Sequence, residues 1–296
     1  MARNRLWVLN FDAEDEMATP SSSPSDAVRA RFEALVARVG ALVPDGDRVY
    51  REGVVTRDEA RGLVGRAWCP TPRAIRAWER VGATIPTTPA FEVIRRVNHR
   101  RFCAAMSSTL PGARYVDTGA DLARVVAEAT PTGQWLLKRP YGFAGRGRRA
   151  VRSGALDAAA MAWAEASLAT GEGLQVEPMV ERRGDFGLHG YIGRDGAVTL
   201  GEATIQRMNA QGAWEGTTRA EAGALDAIET AALFQSVREA ARALDGAGYF
   251  GPFGVDAFRW LDARGEPRFD ARCEINARYS MGWAVGMSGR RPDLDD

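Results

Sequence analysis

Two spacings of apolar residues alternate along the first ninety positions of the chain. Short apolar runs around residues 5–11, 47–51 and 63–68 are typical of β-strands, whereas Pro72–Val81 and the segment after residue 25 carry apolar residues at helical spacing. A proline in the first turn favours a helix that starts at Pro72. This alternation of strands and helices predicts a small open α/β sheet at the N-terminus.

The pattern changes after residues 82–89, a linker-like stretch with two prolines and three threonines. The elements predicted beyond it are a helix at 91–107, strands at Gln134–Lys138 and Arg148–Arg152, a helix at 156–170, strands at 174–180, 186–192 and 197–205, a helix at 225–244, and a hairpin over 254–276. The polar stretch 209–218 is expected to be a flexible loop. We therefore expect an α/β fold in which a small N-terminal open α/β domain (1–94) precedes two α+β subdomains (95–174 and 175–296).

Composition narrows the class of protein. With 296 residues, 45% of them hydrophobic, the chain can bury a sizeable core, which excludes a disordered protein. The 39 basic and 38 acidic side chains nearly cancel, which argues against a nucleic-acid partner. No apolar run approaches a membrane span, acidic residues follow the first apolar run, and three widely spaced cysteines suit a reducing compartment. We expect a cytoplasmic protein with no nucleic-acid or membrane partner.

The charged residues single out one position. The 39 basic side chains are 38 arginines and one lysine, Lys138. A coding bias towards arginine explains the count without giving the lysine a function. The alternative is that Lys138 supplies a compact ammonium with three donors, which a guanidinium does not replace.

A glycine-rich segment follows that lysine. Gly142, Gly145 and Gly147 lie between two predicted strands, and backbone amides without side chains can approach an anion closely. One interpretation is a lid over phosphate groups, to which Arg146 adds positive charge. A glycine-rich hairpin on the surface explains the motif equally well.

The predicted hairpin near the C-terminus brings acidic residues together. If it is symmetric about Gly265, Asp256 lies opposite Glu274, and Asn276 shares a strand face with Glu274. Facing carboxylates repel each other unless a cation neutralises them, and three oxygen donors beside phosphate suit Mg²⁺. The simpler alternative is that Glu274 faces solvent and Asp256 caps a turn.

In this order, the lysine, the glycine-rich segment and the acidic hairpin resemble the ATP-grasp superfamily over residues 98–287. The resemblance implies that Lys138 binds phosphate, that residues 142–147 form the lid, and that one or two Mg²⁺ ions bind the acidic hairpin. The residues it implies as magnesium ligands are Asp256, Glu274 and Asn276. Arg278, in the same motif, is then expected to contact the transferred phosphoryl group or the acceptor carboxylate, so that Arg278 and Lys138 are the candidate catalytic residues.

The strand at 174–180 matches the segment that holds the adenine in this superfamily. The resemblance implies adenine contacts by Glu177, Met179 and Val180, and ribose contacts by Asp185. Many members have an earlier lysine at the place where this chain has Arg100 and Arg101. The spacing to the following Leu-Pro pair favours Arg101 as the phosphate ligand, but the choice between the two stays open.

The superfamily implies a ligase in which ATP and Mg²⁺ activate a carboxylate as an acyl-phosphate that an amine then attacks. The implied partners are small-molecule carboxylate and amine substrates, which we expect to be amino acids or small peptides. A homodimer is left open. Two other readings remain: an ATP-grasp kinase with a small-molecule acceptor, and an ATP-binding regulator without turnover. The acidic run after the first strand, residues 12–16, is expected to be a solvated helix start.

Overall fold

The computed structural model describes residues 4–106, 110–142, 146–154, 156–209 and 214–295. Within these residues the strands form three sheets that follow one another along the chain. The mixed helix and strand content confirms the expected α/β class.

The first sheet is parallel, with the order β2-β1-β3. Its elements are β1 (Arg5–Val8), α1 (Ala13–Ala18), α2 (Asp26–Arg38), β2 (Arg48–Val49), α3 (Arg57–Ala60), β3 (Val64–Ala67) and α4 (Pro72–Val81). Asn10, just beyond β1, donates from Nδ2 to the Cys69 carbonyl (2.9 Å) and accepts from the Cys69 N–H (3.2 Å). These two bonds fix the segments that follow β1 and β3 against each other. The parallel pairing of β1 with β2 and β3 confirms the predicted small open sheet.

The second sheet is antiparallel, with the order β4-β7-β5-β6. This part of the chain contains α5 (Phe91–Asn98), α6 (Arg100–Ala105), β4 (Arg114–Val116), α7 (Gly119–Val126), β5 (Gln134–Lys138), β6 (Arg148–Arg152), α8 (Ala158–Leu168) and β7 (Leu174–Pro178). The prediction of one helix over 91–107 is wrong, because His99 has extended backbone angles and its Nδ1 accepts the Arg101 N–H to cap a new helix. The predicted boundary after residue 174 falls inside β7, so the change of sheet comes after Pro178.

The third sheet is antiparallel, with the order β10-β9-β8-β11-β12. Its part of the chain contains β8 (Glu181–Ile192), β9 (Val198–Met208), β10 (Trp214–Arg219), α9 (Ala227–Gly246), β11 (Gly251–Leu261), β12 (Pro267–Asn276), α10 (Trp283–Met287) and α11 (Pro292–Asp295). The expected loop at 209–218 is wrong for residues 214–218, which pair with β9.

The apolar cores show how these parts are joined. One cluster of buried residues spans the first and third sheets and includes Phe11, Trp68, Leu188 and Val255. The second sheet packs on its own cluster, which includes Trp135. The first and third parts therefore share a core, and a smaller apolar cluster joins Leu110 of the second part to Phe258 and Trp260 of the third. None of the helices in the described ranges has the length and apolar content that crossing a bilayer requires.

Candidate functional site

A cavity of about 410 Å³ opens where the three parts of the chain meet, and its volume lies within the range of small-molecule sites. Its lining combines Lys138 and Arg100 from the second part with Glu274 and Arg278 from the third and Trp68 from the first. The sequence hypothesis requires Lys138 and Glu274 to converge on one site. Both side chains line this cavity.

Asp256 and Glu274 are directly paired across β11 and β12, as symmetry about Gly265 predicts. Asn276 donates from Nδ2 to Asp256 Oδ2 (2.9 Å), and Gln206 on β9 donates from Nε2 to Asp256 Oδ1 (2.6 Å). Both oxygens of the Asp256 carboxylate are thus fixed by amide donors. The solvent-facing alternative for Glu274 is wrong, since its side chain is only 31% exposed and lines the cavity.

The symmetry does not extend to the end of the hairpin. Phe258 pairs with Asp270, and Leu261 pairs with Pro267, so the register differs by two residues from that at Asp256. Ala257 on β11 therefore faces three residues of β12, at positions 271–273. This bulge is what aligns the two carboxylates, because bulges re-aim side chains at the place where pairing is interrupted.

The two facing carboxyl groups differ in proton affinity. Burial, reinforced by the charge of Glu274, raises the pKa of Asp256 to about 6. Burial also acts to raise the pKa of Glu274, but the nearby Arg100 and Lys138 outweigh it and hold that pKa below its ordinary value. Cations therefore stabilise the Glu274 carboxylate, whereas amide donors stabilise the Asp256 carboxylate.

Arg100, rather than Arg101, is the arginine that reaches this cavity. Arg100 Nη2 lies 3.0 Å from Glu274 Oε1, and the Arg100 side chain is nearly buried. Arg101 pairs with Asp117 at the surface and covers the ring of Tyr115. This placement favours Arg100 over Arg101 as the phosphate ligand. The helix start at His99 sets the direction of α6, and because adjacent helix residues point about 100° apart, Arg100 lines this cavity while Arg101 does not.

Lys138 ends β5 and points its ammonium at the carboxylate of Glu177 on β7. The Lys138 side chain is 13% exposed and that of Glu177 is 10% exposed, so the pair is largely withdrawn from solvent. Arg100 donates from Nε to the Arg139 carbonyl (3.1 Å), which ties α6 to the end of β5. Among the cations that line the cavity, Lys138 and Arg100 are thus each paired with a carboxylate, and both are anchored at the end of β5.

The glycines of the predicted lid are constrained where the structure describes them. A Cβ on Gly142 would lie 2.6 Å from the Arg146 carbonyl oxygen, and Gly147 has a φ of +71°. Larger residues would therefore not be accommodated without a shift of the backbone. Gly142 lines the cavity, whereas Gly145 lies outside the described residues.

Of the residues predicted to contact adenine and ribose, Asp185 lines the cavity, whereas Glu177, Met179 and Val180 are not among its described lining residues. Asp185 pairs with Arg182 (Oδ1 to Nη2, 2.7 Å), and burial raises the pKa of Asp185. The Met179 N–H donates to the Gln134 carbonyl, and the Met179 carbonyl accepts from Thr132 Oγ1. Val180 packs instead on the cluster around Phe258. Glu177 lines a separate, smaller cavity of about 200 Å³.

Arg278 follows β12 and has a partner that the sequence did not reveal. Its Nε donates to Glu14 Oε1 (2.5 Å), and its Nη1 donates to the Tyr279 carbonyl (2.9 Å). Glu14 is 5% exposed, and burial raises its pKa. The expectation of a solvated helix start at residues 12–16 is thus wrong for Asp12, Glu14 and Glu16, which arginines distant in sequence cover; Arg73, for example, pairs with Asp12. Asp15 is exposed, as expected.

No family model matches the chain, and no curated protein matches it. Solved structures do match. N5-carboxyaminoimidazole synthetase from Staphylococcus aureus, complexed with ADP, aligns with a TM-score of 0.53 and 11% identity over 94% of this chain and 71% of its own. D-cycloserine synthetase DcsG aligns with a TM-score of 0.53 and 15% identity over 96% of this chain and 97% of its own.

A third match is pyruvate carboxylase from Rhizobium etli, with a TM-score of 0.56 and 16% identity, over 97% of this chain but 27% of that larger protein. These proteins are ATP-grasp ligases. This chain has the ATP-grasp fold. At these identities the likeness shows the fold alone, and the chemistry of the cavity depends on its own residues.

The donor set at the acidic hairpin suits a magnesium ion. Asp256, Glu274 and Asn276 offer oxygen atoms, and two half-buried carboxylates face each other across the hairpin. Such donors are the ones that Mg²⁺ prefers, and a cation relieves their mutual repulsion. Over the described ranges there is no cluster of three or more His, Cys, Asp and Glu side chains arranged to hold a metal. In the acidic hairpin the third oxygen donor is the amide of Asn276.

Proposed function

We propose that this protein is an ADP-forming ligase that activates a carboxylate with ATP and joins it to an amine. The observation that carries the proposal is the convergence of Lys138, Arg100 and Arg278 with the acidic hairpin on one cavity. Cations on one side and paired carboxylates on the other are the groups needed to hold a triphosphate and its metal. The solved neighbours include ligases complexed with ADP.

The proposed reaction has two steps, phosphoryl transfer to the carboxylate and attack by the amine. A carboxylate oxygen of the substrate attacks the γ-phosphorus of ATP, the bond from that phosphorus to the bridging oxygen breaks, and ADP leaves. The amine nitrogen then attacks the acyl carbon, the bond from that carbon to the phosphate oxygen breaks, phosphate leaves, and the nitrogen releases a proton to water. The protein positions the reactants and stabilises the charge that develops on the phosphoryl oxygens.

The cations have distinct roles in this proposal. Lys138 and Arg100 bind phosphate oxygens, and their carboxylate partners Glu177 and Glu274 hold them in place beforehand. Arg278, held by Glu14, presents the rest of its planar fork to the transferred phosphoryl group or the reacting carboxylate. The segment from Gly142 to Gly147 excludes water from the acyl-phosphate, which would otherwise hydrolyse.

A magnesium ion held by Asp256, Glu274 and Asn276 would neutralise charge on the phosphates. Asp185 is proposed to bind the ribose hydroxyls, and the segment Glu177–Val180 to border the adenine. For the adenine contact the Val180 backbone is the better candidate, since the backbone N–H and carbonyl of Met179 are already hydrogen bonded.

The proposal is tested by incubating the protein with ATP, Mg²⁺ and pooled amino acids and small peptides, with and without hydroxylamine. Release of ADP and phosphate that depends on the acids, together with formation of hydroxamates, supports a ligase that forms an acyl-phosphate. A stable phosphorylated product without a new amide indicates a kinase instead. Nucleotide binding without turnover for any acceptor indicates a regulator, and AMP with pyrophosphate refutes phosphoryl transfer altogether.

A further inference from the structure

One part of the cavity lining is apolar. It consists of aromatic, aliphatic and thioether side chains from separate parts of the chain: Phe11, Leu35, Trp68, Met208, Trp214 and Met281. Phe11 and Trp68 are almost fully buried, while the other four are half-buried. This surface, which we call the apolar wall, offers no charged group to a phosphate.

The apolar wall is held rigidly. Phe11 and Trp68 pack edge to face, with ring centroids 4.8 Å apart, on the segments that Asn10 ties together. The Trp68 carbonyl accepts the Tyr279 N–H (3.1 Å), which joins this part of the wall to the segment after β12. The wall is therefore preformed, and a ligand does not need to order it.

The opposite side of the wall is fixed by Trp214 on β10. Its indole Nε1–H donates to Thr217 Oγ1 (2.8 Å), so the polar atom of the ring already has a partner. The guanidinium carbon of Arg38 lies 4.4 Å from the ring centroid, which braces Trp214 from the N-terminal part of the chain. The contact that Trp214 can still offer a ligand is therefore apolar.

The apolar wall begins next to the reacting end of the cavity. The guanidinium carbon of Arg278 lies 5.9 Å from the centroid of the Trp68 ring. A carboxylate held at Arg278 therefore places the rest of its molecule along Trp68. A small or charged substituent would leave these rings in contact with water or would lose its own hydration.

Resting on the ligase function proposed above, we infer that the carboxylate substrate carries a bulky apolar side chain, aromatic or branched aliphatic, that packs on the apolar wall. The site discriminates by size and hydrophobicity, since enclosed aromatic pockets bind apolar groups in proportion to the area buried. The expected preference for phenylalanine or leucine over alanine or aspartate is on the order of 100-fold in kcat/KM.

The test measures hydroxamate formation with ATP, Mg²⁺ and hydroxylamine, which traps the activated acid whatever the natural amine is. Phenylalanine, leucine, alanine and aspartate are compared, together with 3-phenylpropionate and propionate. The proposal expects the larger apolar member of each pair to react faster. Faster reaction of alanine, aspartate or propionate overturns this inference while leaving the ligase function intact. Absence of any hydroxamate and of any acid-dependent ADP overturns both.

Two matched variants locate the preference. Trp214→Ala should lower kcat/KM for phenylalanine on the order of 10-fold and leave that for alanine unchanged. Trp163→Ala is the control, because Trp163 is also half-buried under an arginine (Arg139, 4.7 Å) but lies outside the cavity. Equal effects of the two substitutions on phenylalanine would refute the role of the wall.

A binding measurement gives a readout that does not depend on turnover. Calorimetry with a non-hydrolysable ATP analogue and Mg²⁺ should show phenylalanine binding to wild type and to Trp163→Ala, and at least 10-fold weaker binding to Trp214→Ala. Equal affinity of wild type for phenylalanine and alanine contradicts the inference.

Discussion

The two ends of the cavity are built in different ways. The carboxylates and the amide of the charged end come from adjacent positions of paired strands: Glu274 and Asn276 share one face of β12, and Asp256 faces them from β11. The apolar wall takes its residues from β9, β10, α2, the segments after β1 and β3, and a loop near the C-terminus. A site for a constant ligand can be encoded in short motifs, whereas a site for a particular substrate is assembled from parts that vary independently.

The strongest test of the charged end is Glu274→Gln. The substitution keeps the shape of the side chain but removes the charge that pairs with Arg100 and that would hold the cation. We expect acid-dependent ADP release to fall on the order of 10²–10³-fold. The rate of ADP release, with circular dichroism to confirm folding, measures this.

The matched control for that variant is Glu266→Gln, an exposed glutamate in the turn of the same hairpin. It should retain wild-type activity. Wild-type turnover in Glu274→Gln would remove the acidic hairpin from the site.

Lys138→Arg tests whether the lone lysine matters for its shape as well as its charge. The pocket between β5 and β7 holds a compact ammonium against Glu177, and a guanidinium needs more room and a different donor geometry. Steady-state kinetics should show kcat/KM for ATP lowered on the order of 10²-fold. Full activity in Lys138→Arg would instead favour the coding bias as the explanation of the single lysine.

Arg100→Ala and Arg101→Ala form a pair of neighbours with different expected outcomes. Arg100→Ala removes a buried cation from the cavity, and we expect at least a 10-fold loss of kcat/KM for ATP. Arg101 makes an exposed ion pair, whose contribution is about 0–1 kcal/mol, so its loss should leave catalysis nearly unchanged. The reverse order of effects, measured in the same assay, would restore the prediction made from spacing.

The smallest effect concerns pH. Because the pKa of Asp256 is raised to about 6 in the folded protein, from 3.8, the folded state without a divalent cation binds this proton more tightly than the unfolded state. The contribution of Asp256 to stability is therefore fully present below about pH 4 and is lost as the pH rises through 6.

Thermal unfolding of wild type and Asp256→Asn measures this contribution. With chelator present, the melting temperature of wild type relative to the variant should decrease on the order of a few °C between pH 5 and pH 8. Mg²⁺ should reverse the trend above pH 6, since it favours the ionised carboxyl group. A difference between the two proteins that does not change with pH would contradict the raised pKa.

The sequence predicted the charged end well because its geometry is local. The period of two along a strand placed Asn276 beside Glu274, and symmetry about Gly265 gave the right partner for Asp256 only because a bulge shifts the register by two residues. The small open sheet at the N-terminus also followed from the alternating strand and helix spacings of apolar residues.

Other features depended on contacts between distant segments. Arg100 and Arg101 cannot be told apart by spacing, since the outcome depends on the break at His99 that starts a new helix. Glu14 belongs to an acidic run typical of a solvated helix start, and its burial follows only from the approach of Arg278. The β10 strand is polar in composition and is held by its pairing with β9.

The bulge between β11 and β12 divides the hairpin into two parts that tolerate different changes in length. Residues can be added at the turn, 262–266, without changing the face of the sheet on which Glu274 lies. Deleting one residue from 271–273 would instead turn Glu274 and Asn276 to the opposite face of the sheet. The turn is thus the natural insertion point for a reporter peptide, and the three bulge residues are the place where a frame-preserving deletion is expected to abolish activity.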